Sequence, residues 1–213
     1  MRMKVVFFSL FLASLVPAHA DVYTNMTLTG SSLVSWGGEY VSPYWATTNG
    51  VDRFLISCLD VTVNTYVGQS YSYHTTTNTV PGSNDTTPLY QYQAAAILAE
   101  QILGATGDLR GELSWAIWDI FNPTYVAAWS NSQVHNNLAT IQHYADLAKA
   151  QAQGGGYVPN FTLYYPDSDG NPPVPGTPGS QMYIRIVPDG GLTLMLLGGA
   201  LVGLEALRRR FRA

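Results

Sequence analysis

The chain has 213 residues, 46% of them hydrophobic, which suggests one domain with a core of ordinary size. Only Arg53, Arg110, Lys149 and Arg185 are basic between residues 21 and 189, against thirteen acids, so this portion carries a net charge of −9 and repels phosphate backbones, which argues against nucleic-acid binding. The single cysteine, Cys58, excludes an internal disulfide, so stability must come from a core that five Trp and fourteen Tyr can help to fill.

The first twenty residues read as a secretory signal. Arg2 and Lys4 supply a positive start, residues 5–15 (VVFFSLFLASL) an apolar run, and Ala18-His19-Ala20 a small-x-small cleavage pattern. This predicts export through the Sec machinery, removal of residues 1–20 by signal peptidase, and a mature chain beginning at Asp21.

Short β-segments follow. Residues 22–28 (VYTNMTL) alternate weakly, and residues 30–44 place Gly and Ser turns between aromatic residues. Asn49-Gly50 is a turn signal leading into a strand over 51–63, where Phe54, Ile56, Cys58 and Asp60 share one face. Another strand is predicted at 66–73, then a polar surface loop from Thr75 to Thr87. The period then changes. Thr87-Pro88 reads as a cap followed by proline at the first helical position, opening a helix over 89–103 that Gly104 stops. A second helix runs from Asp108 as cap to Phe121, with Leu109, Leu113, Ala116, Ile117 and Ile120 in one stripe, and Asn122-Pro123 ends it. A third spans 132–152 before Gly154-Gly155-Gly156. Strands return at 157–165 and 181–187, separated by a Pro/Gly-rich loop. The fold class expected is α+β: a β-sandwich or barrel-like sheet over residues 21–186 with a helical insert of about three helices (about 88–153), flanked by a signal helix and a C-terminal transmembrane helix.

Residues 187–213 read VPDGGLTLMLLGGALVGLEALRRRFRA. Val187, Pro188, Asp189, Gly190 and Gly191 form an extended, flexible motif. Residues 192–207 are apolar apart from Thr193 and Glu205 and would sit in membrane lipid, although sixteen residues are fewer than the ~20 that span a bilayer comfortably. Arg208, Arg209 and Arg210 stop transfer by the positive-inside rule. This layout resembles the VPDGG variant of PEP-CTERM sorting signals. The resemblance implies recognition and cleavage by an exosortase-type transpeptidase, with release of the body to the cell surface or to an extracellular matrix or biofilm. The alternative is an uncleaved C-terminal membrane anchor.

In the body, Phe54-Leu55-Ile56-Ser57-Cys58-Leu59-Asp60 and Leu113-Ser114-Trp115-Ala116-Ile117-Trp118-Asp119 resemble the thioester domains of bacterial surface proteins. The resemblance implies a Cys–Gln thioester able to acylate an amine on a target, with the Gln two residues before the Ala-Ile-Trp triplet. This chain has Ser114 at that position, and a hydroxyl cannot form the bond. Gln91, Gln93 and Gln101 lie on the preceding predicted helix and could approach Cys58, but nothing in their spacing requires it. The expectation for Cys58 is therefore a buried thiol packing as a small hydrophobe; the alternative is the reactive half of a thioester.

Other chemistry is sparse. Asp167 and Asp169 have the D-x-D-G look of a calcium loop without its remaining ligands, and a polar turn is the simpler reading. His74, His135 and His143 make no zinc pattern, and no hydrolase or nucleotide motif is present. No cofactor or metal is expected. The function expected is a non-enzymatic, exported surface or matrix protein, with exopolysaccharide as a candidate partner of its Trp and Tyr rings. The alternatives are a covalent adhesin using Cys58, an unprocessed membrane-anchored surface protein, and a hydrolase without a recognisable motif.

Overall fold

The computed structural model describes residues 22–31, 34–62, 66–81, 85–166 and 181–188. The signal segment with Ala18 and Ala20, the acids Asp167 and Asp169, the motif residues Asp189, Gly190 and Gly191, the apolar run 192–207, and Arg208, Arg209 and Arg210 lie outside these residues. Among the described residues, no helix is long and apolar enough to cross a membrane.

The strands are β1 (Val22–Ser31), β2 (Ser35–Trp36), β3 (Glu39–Tyr40), β4 (Tyr44–Thr48), β5 (Asp52–Cys58), β6 (Ser70–Thr77), β7 (Phe161–Pro166) and β8 (Tyr183–Ile186). The helices α1 (Leu89–Gly104), α2 (Gly107–Phe121), α3 (Pro123–Ala127) and α4 (Ser132–Gln153) fall between β6 and β7. Six strands close into an antiparallel barrel in the order β1, β4, β5, β8, β7, β6, while β2 and β3 form a separate hairpin. The mixed α and β class therefore holds, and the sheet is a closed barrel rather than a sandwich.

Several boundaries differ from those expected of the sequence. The helices number four among the described residues, because Asn122 does more than end α2. Its side-chain oxygen accepts from the Tyr125 amide at 3.2 Å, and Pro123 takes the first helical position, where its missing N–H costs nothing, so α3 starts at once. β6 runs on to Thr77 through a stretch expected to be loop. Thr75, Thr76 and Thr77 pair with Tyr164, Leu163 and Thr162, a place where β-branched residues suit the pleat. β7 begins at Phe161 rather than Tyr157, after Pro159, which has no N–H for a ladder. Pro88 rather than Thr87 takes the cap position of α1.

Strand alternation makes two cores. Met26, Leu28, Ala46, Phe54, Ile56, Cys58, Tyr73, Tyr164 and Tyr183 fill the barrel. The outer faces of β7 and β8, with Leu163, Tyr165, Met182 and Ile184, pack under the helices. α1 is the central helix of this second core. It touches α2, α4 and β8, and it buries Tyr92, every residue from Ala94 to Ala99, and Ile102. A helix apolar on all sides is what such a position demands, whereas α4 buries only Val134, Ile141, Ala145 and Ala148 along one stripe.

The β2–β3 hairpin is pinned to the helices. Trp36 Nε1 donates to Asp108 Oδ1 at 2.9 Å, so Asp108 sits in the first turn of α2 as a ring anchor rather than as the cap. Trp115 and Trp129 donate their indole N–H groups to the carbonyls of Trp36 and Gly37, at 3.2 and 2.9 Å. Gly37 has φ +66°, where a Cβ would meet Val134 and Trp115, so the turn and the close packing both require glycine here.

A cysteine–glutamine pair at the barrel mouth

β5 ends at Cys58 and β8 begins at Tyr183, and the two residues are register partners. The ladder continues one step beyond, where the Leu59 amide donates to the Met182 carbonyl at 2.9 Å. That step places Gln181 across from Asp60. Side chains alternate in each strand, so Gln181 and Cys58 become diagonal neighbours on the inward side, a spacing that long side chains bridge.

They do meet. Gln181 Nε2 lies 2.6 Å from Cys58 Sγ, although 123 residues separate them in sequence. This is shorter even than ordinary N–H···O contacts, which begin at about 2.7 Å, and sulfur is larger than oxygen, so the pair is pressed closer than an ordinary hydrogen bond to sulfur. The same nitrogen donates to the Asp60 carbonyl at 3.0 Å, and Tyr183 Oη donates to Gln181 Oε1 at 2.6 Å. The amide plane is thus held from both ends.

The sulfur is held as firmly. Its S–H donates to the Asp60 carbonyl at 2.7 Å, and the Asp60 amide donates to Sγ at 3.3 Å. The Cys58 amide donates to Ser42 Oγ at 3.2 Å, and its carbonyl accepts from Trp118 Nε1 at 3.2 Å. Asp60 is held by its own turn, since Oδ1 accepts from both the amide and the hydroxyl of Thr62 at 2.7 Å.

Cys58 is fully buried in the barrel core, as expected of a thiol packing as a small hydrophobe, and its sulfur also meets polar groups of Asp60 and Gln181. Burial pushes its thiol well above the ordinary range. Hydrogen bonds from the Asp60 backbone and from Gln181 oppose that rise, and the Asp60 charge adds to it. The sulfur therefore carries its proton at physiological pH. The half-buried Gln181 is the member of the pair that keeps contact with solvent.

The other sequence candidates fall elsewhere. Ser114 is buried on α2 and donates to the Arg110 carbonyl at 2.9 Å, a helical serine bonding one turn back. Ala116, Ile117 and Trp118 are core residues, and Trp118 steadies the Cys58 carbonyl. The glutamine at the sulfur comes from the entrance to β8 and not from α1, where Gln91, Gln93 and Gln101 sit. His74 stacks on Tyr165 at 5.6 Å, and His135 and His143 are exposed on α4. Among the described residues, no group of His, Cys, Asp or Glu could hold a metal. Val187 donates its amide to the Asn160 carbonyl at 2.8 Å, just past β8, and Pro188 is exposed beyond it. Comparison with protein-family models, with curated proteins and with solved structures finds no match to this chain.

Proposed function

We propose that this is an exported surface protein that forms a thioester between Cys58 and Gln181 and uses it to acylate a primary amine on a partner. The observation that carries the reading is the 2.6 Å contact between Sγ and Nε2, within a frame that fixes both groups. Such a pair needs no external reagent. Sγ attacks Cδ of the Gln181 amide, the thiol proton passes to Nε2 beside it, the C–N bond breaks, and ammonia leaves. The product is a thioester, lighter than the starting chain by one ammonia. An amine on a target then attacks the same carbon. The C–S bond breaks, the proton released by the amine returns to Cys58, and Gln181 is left amide-linked to the partner. Proximity and orientation are what the fold supplies, and held geometry of this kind lowers barriers by several kcal/mol, ~7 or more in favourable cases. The protein is consumed in the step, so it is a reactant and not an enzyme.

Two further features agree with a partner amine. The chain has only two lysines, Lys4 in the signal segment and Lys149. Lys149 is ion-paired with Asp146 at 2.8 Å. The body therefore offers few amines of its own to quench the electrophile. Gln181 and Pro188 also stand at opposite ends of β8, on the order of 20 Å apart along an extended strand. A chain held or released at its VPDGG motif by an exosortase-type sorting step would turn its reactive mouth outward from that end. On the delivered protein the exposed rings of Tyr40, Trp45, Tyr66 and Tyr157 offer faces for exopolysaccharide stacking as a second, non-covalent contact with a matrix.

The test is covalent capture. The purified full-length chain, incubated with a fluorescent primary amine, is expected to carry the label through denaturing electrophoresis, and the Cys58→Ala variant is not. Equal labelling of the two would sink the proposal.

A further inference from the structure

We propose that Tyr183 is the oxyanion donor of this site, serving both the closing of the thioester and its opening by an amine. The inference rests on the thioester reading and adds a catalytic residue to it. Its starting observation is the hydroxyl of Tyr183, which donates to Gln181 Oε1 at 2.6 Å in the resting pair. Oε1 is the atom on which negative charge develops when sulfur adds to Cδ. It is again that atom when an amine adds to the thioester carbonyl, because neither step moves the oxygen off the carbon. One donor can therefore stabilise both tetrahedral species.

The phenol is also pre-placed. Tyr183 is the register partner of Cys58, so backbone pairing sets its depth in the barrel. Its ring meets Tyr73 edge-on at 6.1 Å and Tyr44 edge-on at 6.4 Å, and it is almost fully buried. Two other phenols of the barrel are committed elsewhere: Tyr44 Oη donates to the Tyr40 carbonyl and Tyr71 Oη to Gln69 Oε1. A hydrogen bond to a forming oxyanion gains more than one to a neutral carbonyl, and this donor is already in place in the resting pair. The Asp60 carbonyl on the opposite side of the amide accepts from the nitrogen and cannot take this role.

The experiment uses the full-length chain and three proteins: wild type, Tyr183→Phe and Tyr44→Phe. Two quantities are followed by intact mass: the fraction that has lost ammonia, and the rate at which methylamine is taken up. Removing one oxyanion donor typically slows acyl transfer ~100-fold or more. Tyr183→Phe is therefore expected to form the thioester slowly and to react with methylamine about 100-fold more slowly than wild type. Tyr44→Phe, which alters a ring of the same barrel, should keep the wild-type rate. If Tyr183→Phe forms the thioester and reacts within about twofold of wild type, the proposal for Tyr183 is overturned while the thioester stands. If wild type itself never loses ammonia, the thioester reading falls and this inference with it. Should Tyr183→Phe fail to fold, 3-fluorotyrosine placed at position 183 decides. Its stronger donor should speed methylamine uptake, and an unchanged or lower rate would overturn the assignment.

Discussion

Opening the proposed Cys58–Gln181 thioester is expected to cost the protein much of its stability. A covalent bond between residues 58 and 181 would close a loop of more than a hundred residues, and removing a cross-link of that span returns ~4–5 kcal/mol of chain entropy to the unfolded state. For a domain of this size that corresponds to a fall in Tm of roughly 10 °C, at ~2–4 °C per kcal/mol. The Gln181→Ala variant should show this fall and should take up no amine. Wild type treated with methylamine should show most of the same fall without any mutation, because aminolysis opens the loop and leaves the fold's other contacts in place. Thermal melts of the three samples check the expectation. A methylamine-treated protein that melts with the untreated one would mean that no cross-link was present to open.

The second large effect concerns Gly111. It lies on α2 directly beneath the Trp36 ring, and a Cβ there would sit 2.2 Å from Trp36 Cγ and 2.3 Å from Cδ2. The ring cannot simply step aside. Its Nε1 is held by Asp108, and its carbonyl is held by Trp115. Gly111→Ala is therefore expected to destabilise by about 3 kcal/mol, the upper part of the range for overpacked cores, even though alanine is the better helix former by ~1 kcal/mol. Chemical denaturation gives the number. The double variant Gly111→Ala/Trp36→Ala should recover part of the loss, because it relieves the clash while giving up the ring.

Much of the helical insert is legible in the residues, and the reason is local. α4 buries a stripe at helical spacing and Asn122-Pro123 marks the end of α2 by backbone chemistry alone, whereas α2 buries every residue from Leu113 to Ile120 and leaves Leu109, expected in its stripe, exposed. The existence of β5 and of the last strand is also legible, since Phe54, Ile56 and Cys58 alternate, as do Met182 and Ile184. The order in which strands close a barrel is a non-local outcome. Nothing in residues 52–58 announces that they lie beside residues 183–186 rather than beside another strand.

That missing adjacency is why half of the site is not legible in the residues. Cys58 stands out because it is the only cysteine, but its partner is fixed by the β5–β8 register. The position two residues before Ala116-Ile117-Trp118, where a glutamine would be sought, holds Ser114 instead. The triplet serves the site in another way, with Trp118 supporting the carbonyl of Cys58 from the helical side. One signal is present. Gln181-Met182-Tyr183-Ile184 alternates, which sets Gln181 and Tyr183 on the face opposite Met182 and Ile184.

The central claim is that Cys58 and Gln181 are joined, and intact mass tests it most directly. The full-length chain purified without added amines is expected to weigh ~17 Da less than its composition requires, the mass of one ammonia. Digestion should yield a single cross-linked species joining the peptides that contain Cys58 and Gln181. Methylamine should shift the mass upward by one adduct, on Gln181, and expose one free thiol. A protein at its full mass, with a free Cys58 in the native state and no change on methylamine treatment, would contradict the account.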